Sequence, residues 1–145
     1  MFVGQSIHSL DNKNRLVLPA KYRSQLSPTI YLSLDLDSCL SIYSEEVYSK
    51  KAEKINTLSD FDKDSRALKR IFFANSYEVV MDKQGRIMIP NFLLEKVKIE
   101  KEVAVVGAFD HIQLFSNKII DGLLEQDESS YEELASHLSG VKENG

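Results

Sequence analysis

Two carboxylate–guanidinium pairs at one spacing carry the chemistry of this sequence. Asp11 precedes Arg15 in DNKNRLVLP (residues 11–19), and Asp82 precedes Arg86 in DKQGRIMIP (residues 82–90), 71 residues further on. A guanidinium is a planar fork of N–H donors, matched to phosphate and to the O6 and N7 edge of guanine. An aspartate four residues earlier suits a different task. Its side chain bonds to the backbone two residues on and builds a turn. It also orients the guanidinium while the remaining donors face outward. Asp11 and Asp82 are therefore expected as turn formers, not as ligand contacts. Gly85 and Asn14 supply the left-handed residue that each turn needs. Taken singly, either pair reads equally well as an exposed ion pair worth about 0–1 kcal/mol, and the two readings are compatible.

Cations gather beside the first pair. From Asp11 to Arg23 the chain holds Lys13, Arg15, Lys21 and Arg23 against one carboxylate, whereas Phe92 and Leu94 replace the last two cations in the second copy. The net charge of −4 hides this asymmetry: residues 1–120 carry 17 Lys and Arg against 15 Asp and Glu, and residues 121–145 carry one Lys against seven acids. The local field is what a phosphate feels, because charges act within about 8–10 Å at ordinary salt. Lys63, Arg66, Lys69 and Arg70 alternate with Asp60, Asp62 and Asp64, which reads as a salt-bridged solvent face.

Other chemistries find little support. His8, His111 and His137 are scattered, and Cys39 is the single cysteine, so neither a metal cage nor an intrachain disulfide is expected. No nucleophile elbow or phosphate-cradling glycine loop occurs, which argues against an enzyme and against a cofactor. No apolar run approaches the ~20 residues of a membrane span. The N-terminus does not read as a signal peptide, and a cytoplasmic protein is expected.

The elements that must position the two pairs are themselves repeated. SIHSL and YEVVM alternate as half-buried strands before each Asp, and LVL and IMI form strands closed by Pro19 and Pro90. The DNKN and DKQG turns are expected to reverse the chain between them. Short helices follow in AKYRSQL and NFLLEKV, then strand pairs TIYLSL with CLSIY and EVAVVGAF with HIQLF. Phe2 aligns with Phe73 at the same offset, and LSIYS with IQLFS at an offset of 72. Ser44, Ser116 and Ser59 stand at N-cap positions. The Ser59 helix sets Leu68, Ile71 and Phe72 on one face. Ser129 and Ser130 suggest a capping box before YEELASHL, and the final VKENG is expected to fray. Phe72, Phe73, Phe109 and Phe115 read as core or subunit interface. The pattern predicts an α+β fold of two half-domains that need each other's apolar face. The division is residues 1–52, a connecting helix at 53–74, a second half at 75–121 and an acidic helical tail at 122–145.

MFVGQSIHSLDNKNRLVLPAKYR, DKQGRIMIP and KEVAVVGAFDHIQLF resemble the two halves of an MraZ protein. That family comprises bacterial DNA-binding transcriptional regulators with two AbrB-like (SpoVT-AbrB, swapped-hairpin) half-domains in one chain. The resemblance implies one barrel-like unit with accessory helices and assembly into homo-oligomeric rings. It implies a nucleoid-associated regulator of a cell-division and cell-wall gene cluster, binding short repeated sites in double-stranded DNA near its own promoter. DNA contact then falls to Lys13, Arg15, Lys21 and Arg23, with Lys83 and Arg86 in the second copy, and no small-molecule substrate is implied. Asn14 departs from the glycine usual in the first turn. The alternative is an oligomeric protein-interaction module without specific DNA binding.

Overall fold

A computed structural model describes the backbone of residues 1–144 and the side chains of residues 1–139. The expected fraying of VKENG lies outside the described side chains. The first half comprises β1 (Gln5–Ser9), β2 (Arg15–Val17), α1 (Ala20–Arg23), β3 (Thr29–Asp35) and β4 (Cys39–Ser44). Helices α2 (Glu45–Asn56) and α3 (Lys63–Ala74) lead to the second half. That half comprises β5 (Ser76–Val80), β6 (Arg86–Met88), α4 (Asn91–Lys96), β7 (Glu102–Gly107) and β8 (Ile112–Ser116). Helices α5 (Asn117–Ser129) and α6 (Tyr131–Asn144) follow. The fold is α+β, as the sequence pattern predicts.

Pairing between the halves dominates. One six-stranded antiparallel sheet runs β1-β7-β8-β4-β3-β5, and a separate two-stranded antiparallel ribbon joins β2 to β6. Only β3–β4 and β7–β8 pair within a half. By contrast, β1 pairs with β7, β5 with β3, β2 with β6 and β4 with β8, each across the halves. The turns do reverse the chain, since Asp11 N–H reaches the Arg15 carbonyl at 3.0 Å and Asp82 N–H reaches that of Arg86 at 3.0 Å. Their flanking strands then part and find partners in the opposite copy. The expected barrel-like unit takes the form of an open sheet, with edges β1 and β5, beside a separate ribbon.

The shared interior explains the exchange. Leu16, Leu18, Ile30, Leu32 and Leu40 of the first half pack in one cluster with Ile87, Ile89, Leu93, Val97 and Leu114 of the second. Burying each such side chain contributes about 1.5–3 kcal/mol, and neither half alone covers its own set. A smaller cluster of Cys39, Ala104, Phe115 and Ile120 seats α5. A stack of Tyr31 on Tyr48 (4.4 Å between centroids) and Tyr48 on Phe72 (5.7 Å) holds α2 and α3 against β3.

Several local expectations change in three dimensions. Ser44 caps α2 by accepting from Val47 N–H at 3.2 Å, but Ser116 makes no such bond at α5. Ser59 accepts from Phe61 N–H, and α3 starts later with Asp62 at its N-cap. Instead of forming a capping box, Ser129 donates its hydroxyl back to the Gln126 carbonyl, and the α5–α6 break falls at Ser130. Of the predicted α3 face only Phe72 is buried, while Leu68, Ile71 and Phe73 are exposed. Phe115 is core and Phe109 is exposed. Phe2 is buried and bridges Phe109, so its sequence match to helical Phe73 has no structural counterpart.

Candidate nucleic-acid interface

Each turn is built around one carboxylate. Asp11 Oδ1 accepts from the backbone N–H groups of Lys13 and Arg15, both at 2.9 Å, and Oδ2 accepts from Arg15 Nε at 2.6 Å. In the second copy Asp82 Oδ1 accepts from Gln84 and Arg86 N–H, both at 2.9 Å, and Oδ2 accepts from Arg86 Nε at 2.6 Å. The carboxyl of Asp11 is held below its ordinary value, first by the Arg15 backbone N–H. Desolvation opposes it as the next-largest effect, and the Arg15 side chain and the Lys13 N–H add to the lowering. Asp82 follows the same order with Arg86 and Gln84. Asn14 (φ 58°) and Gly85 (φ 77°) both take the left-handed conformation expected of them.

The ribbon brings the two turns into one surface. Arg15 stands opposite Met88, Leu16 opposite Ile87 and Val17 opposite Arg86. Leu18 N–H donates to the Gly85 carbonyl and Ile89 N–H to that of Asn14, both at 3.0 Å, so each turn is bonded to the strand leaving the other. Since side chains alternate faces along a strand, Arg15 and Arg86 share the outward face while Leu16 and Ile87 are fully buried. The arginines are 25% and 28% exposed. Only Nε of each is hydrogen-bonded within the chain among the described residues, which leaves the terminal donors to face solvent.

The remaining candidates divide. Lys13 and Lys83 are exposed on the turns. Arg23 reaches across the halves, and its Nη1 donates to the Gln84 carbonyl at 3.1 Å. Lys21 points elsewhere: its Nζ lies 5.2 Å from the Tyr22 ring centroid, and it would be 3.8 Å from a Cβ at Gly4. Sequence reasoning passed over Asn91, which touches the first turn from the opposite copy, over Gln84, whose carbonyl in the second turn accepts from Arg23, and over Val17 and Met88. The last two were hidden inside apolar triplets that read as uniform core. On α3, Lys69 pairs with Asp60 at 2.8 Å and Arg66 Nη1 donates to the Asp60 backbone carbonyl at 3.0 Å, so among the described residues the expected salt-bridged face comes down to one ion pair.

The nucleophile and metal candidates are occupied structurally. The Cys39 thiol is buried, donates to the Leu36 carbonyl and is pushed up to about 12, chiefly by burial and then by Asp35 and Asp37. His8 meets Ser6 and His111 meets Asp110, each at 2.7 Å. Among the described residues no three potential metal ligands cluster, and no helix is long and apolar enough to cross a membrane.

A duplicated chain whose halves exchange strands, with one Asp–Arg turn per half on a common ribbon, defines a two-repeat α+β protein. The family model described as "MraZ protein, putative antitoxin-like" matches residues 1–71 and 72–140. The transcriptional regulator MraZ of Caldanaerobacter subterraneus subsp. tengcongensis is 39% identical over 95% of this chain and 96% of its own length. That of Halothermothrix orenii is 40% identical over 97% and 99%, and that of Thermoanaerobacter sp. (strain X514) 39% over 97% and 99%. The chain belongs to the MraZ family, a family of transcriptional regulators and not of enzymes.

Proposed function

We propose that this protein regulates transcription by binding double-stranded DNA through the β2–β6 ribbon and its two turns. One observation carries the reading. Arg15 and Arg86 lie on the same outward face, each fixed through Nε by its own aspartate and each with its terminal donors unspent. Such pre-oriented forks suit guanine edges or phosphates. Lys13 and Lys83 add phosphate contacts at the turn tips. Lys21 and Arg23 widen the cationic flank of the first half, with Arg23 also bracing the second turn.

The same reading includes assembly into a homo-oligomeric ring. The exposed Leu68, Ile71 and Phe73 on α3, together with Phe109, support it as unpartnered apolar surface. A ring multiplies a patch that is weak in one copy, because linked sites raise avidity by about 10²–10⁴ when spacing fits. Short repeated sites near the protein's own promoter, ahead of a cell-division and cell-wall gene cluster, follow from the family resemblance. So does a cytoplasmic, nucleoid-associated location, while the division into 1–52, 53–74, 75–121 and 122–145 follows from the repeated sequence pattern.

Footprinting on the DNA just upstream of the protein's own gene tests the proposal. Native protein is expected to protect short repeats and to lose affinity steeply with salt, as counterion release requires. Arg15→Ala is expected to keep native size and lose site protection. A variant of native size that still protects the same sites refutes the role of Arg15. The lack of any salt-sensitive complex favours an interaction module instead.

A further inference from the structure

Four side chains occupy the outward face of the ribbon: Arg15 and Val17 from β2, Arg86 and Met88 from β6. Val17 is 47% exposed and Met88 58% exposed, while the inward positions are already filled by Leu16, Leu18, Ile87 and Ile89. Core packing therefore gives these two residues no purpose. Each lies directly across the ladder from an arginine, Met88 from Arg15 and Val17 from Arg86, so the same mixed pair occurs at both ends of the ribbon. A surface built only to hold phosphates has no use for them, because phosphate oxygens gain nothing from a methyl or thioether neighbour.

The DNA major groove offers the missing partner. It admits a two-stranded β-ribbon, presents O6 and N7 of guanine to arginine, and displays one apolar group, the C5-methyl of thymine. Directly opposed residues of an antiparallel pair lie about 4.5–5.5 Å apart, and diagonal ones such as Arg15 and Arg86 about 7–8 Å apart. The diagonal is comparable with two base-pair steps of ~3.4 Å. Charge favours the same occupant. Segments 11–17 and 82–88 hold four cations and two carboxylates, and both carboxylates are engaged by their own arginines.

We propose that Val17 and Met88 are specificity-determining residues that read the C5-methyl groups of thymines lying beside the guanines contacted by Arg86 and Arg15. The inference rests on the DNA-binding reading above and deepens it. The arginines alone would select guanines. The apolar pair adds a demand for thymine at neighbouring steps and disfavours cytosine, which has no methyl there.

Deoxyuridine scanning isolates this contact, because replacing one dT by dU removes only the methyl. A duplex is first selected from a randomised pool by the native protein, and each thymine is then replaced singly. Affinity is expected to fall about fourfold at thymines beside the selected guanines, the factor for losing one buried CH₂-sized group. Val17→Ala should erase the loss at one set of positions and Met88→Ala at the other. Met88→Leu should restore it, with the salt dependence unchanged throughout because the phosphate contacts remain. Both side chains are exposed, so these variants leave no core cavity. Uracil-insensitive binding by the native protein, or equal losses in native protein and both alanine variants, overturns the proposal and leaves DNA binding standing. Failure to select any duplex refutes both.

Discussion

The two turns share one aspartate geometry and differ in what lies over them. At the first, Asn14 holds the left-handed position and its side-chain amide meets Asn91 Oδ1 at 3.5 Å. At the second, Arg23 lies across Gly85, and a Cβ there would come within 2.2 Å of Arg23 Cδ. The residue of the second half that corresponds to Arg23 is Leu94, which is buried in the shared core. No arginine is thus laid over Asn14 by that position. The choice between Gly and Asn is set less by the turn, which both residues satisfy, than by the side chain the opposite half places above it. Arg23, a contact candidate on charge alone, is partly committed to bracing the second turn.

That comparison breaks most visibly at its centre. Leu16 and Ile87 are opposed in the ribbon and both fully buried. Leu16→Ala and Ile87→Ala are expected to cost similar amounts, about 2–5 kcal/mol each, in denaturant unfolding. A large inequality would show that the halves do not share the interior evenly.

The next effect separates the turns. Gly85→Ala forces a side chain into a left-handed backbone, at about 1–2 kcal/mol, and displaces Arg23. Adding Arg23→Ala should recover part of that loss. Asn14→Gly exchanges strain for chain entropy and should stay within about 1 kcal/mol of the native protein. Arg23→Ala alone removes one hydrogen bond to the Gln84 carbonyl, worth about 0.5–1.5 kcal/mol. It should disturb amide resonances around Gly85 more than those around Asn14.

The smallest effect is a pH dependence in which the turns should agree. Asp11 and Asp82 both titrate below the ordinary 3.8, because backbone and guanidinium donors favour the charged carboxylate over the opposing desolvation. In the unfolded chain these groups take up protons at the ordinary value, so their contribution to stability is complete above it. It disappears as pH falls through the lower folded values. Carboxyl-carbon NMR titration should place the two midpoints together, and a clear separation would break the equivalence.

Much of the site was legible because its determinants are local. An Asp four residues before an Arg, with Gly or Asn between, defines a turn from side-chain reach and backbone sterics alone. Both turns close as expected. Val17 and Met88 were not legible. An apolar triplet reads as buried strand, and only the ribbon register shows that its middle residue faces outward. The burial of Phe72 with exposure of Leu68 and Ile71 was hidden for a similar reason, since periodicity gives an apolar face without saying how much of it is covered.

By itself the sequence determined a duplicated α+β chain, two Asp-built turns, a guanidinium at each and an uneven distribution of cations. Tertiary structure decided which strands pair, and with it the gathering of both arginines on one face, the bracing of Gly85 by Arg23 and the exposure of Val17 and Met88. The physical reason is the duplication itself. When two halves carry the same apolar pattern, pairing within a half and exchange between halves satisfy the same local preferences, and only burial of the common interior chooses between them.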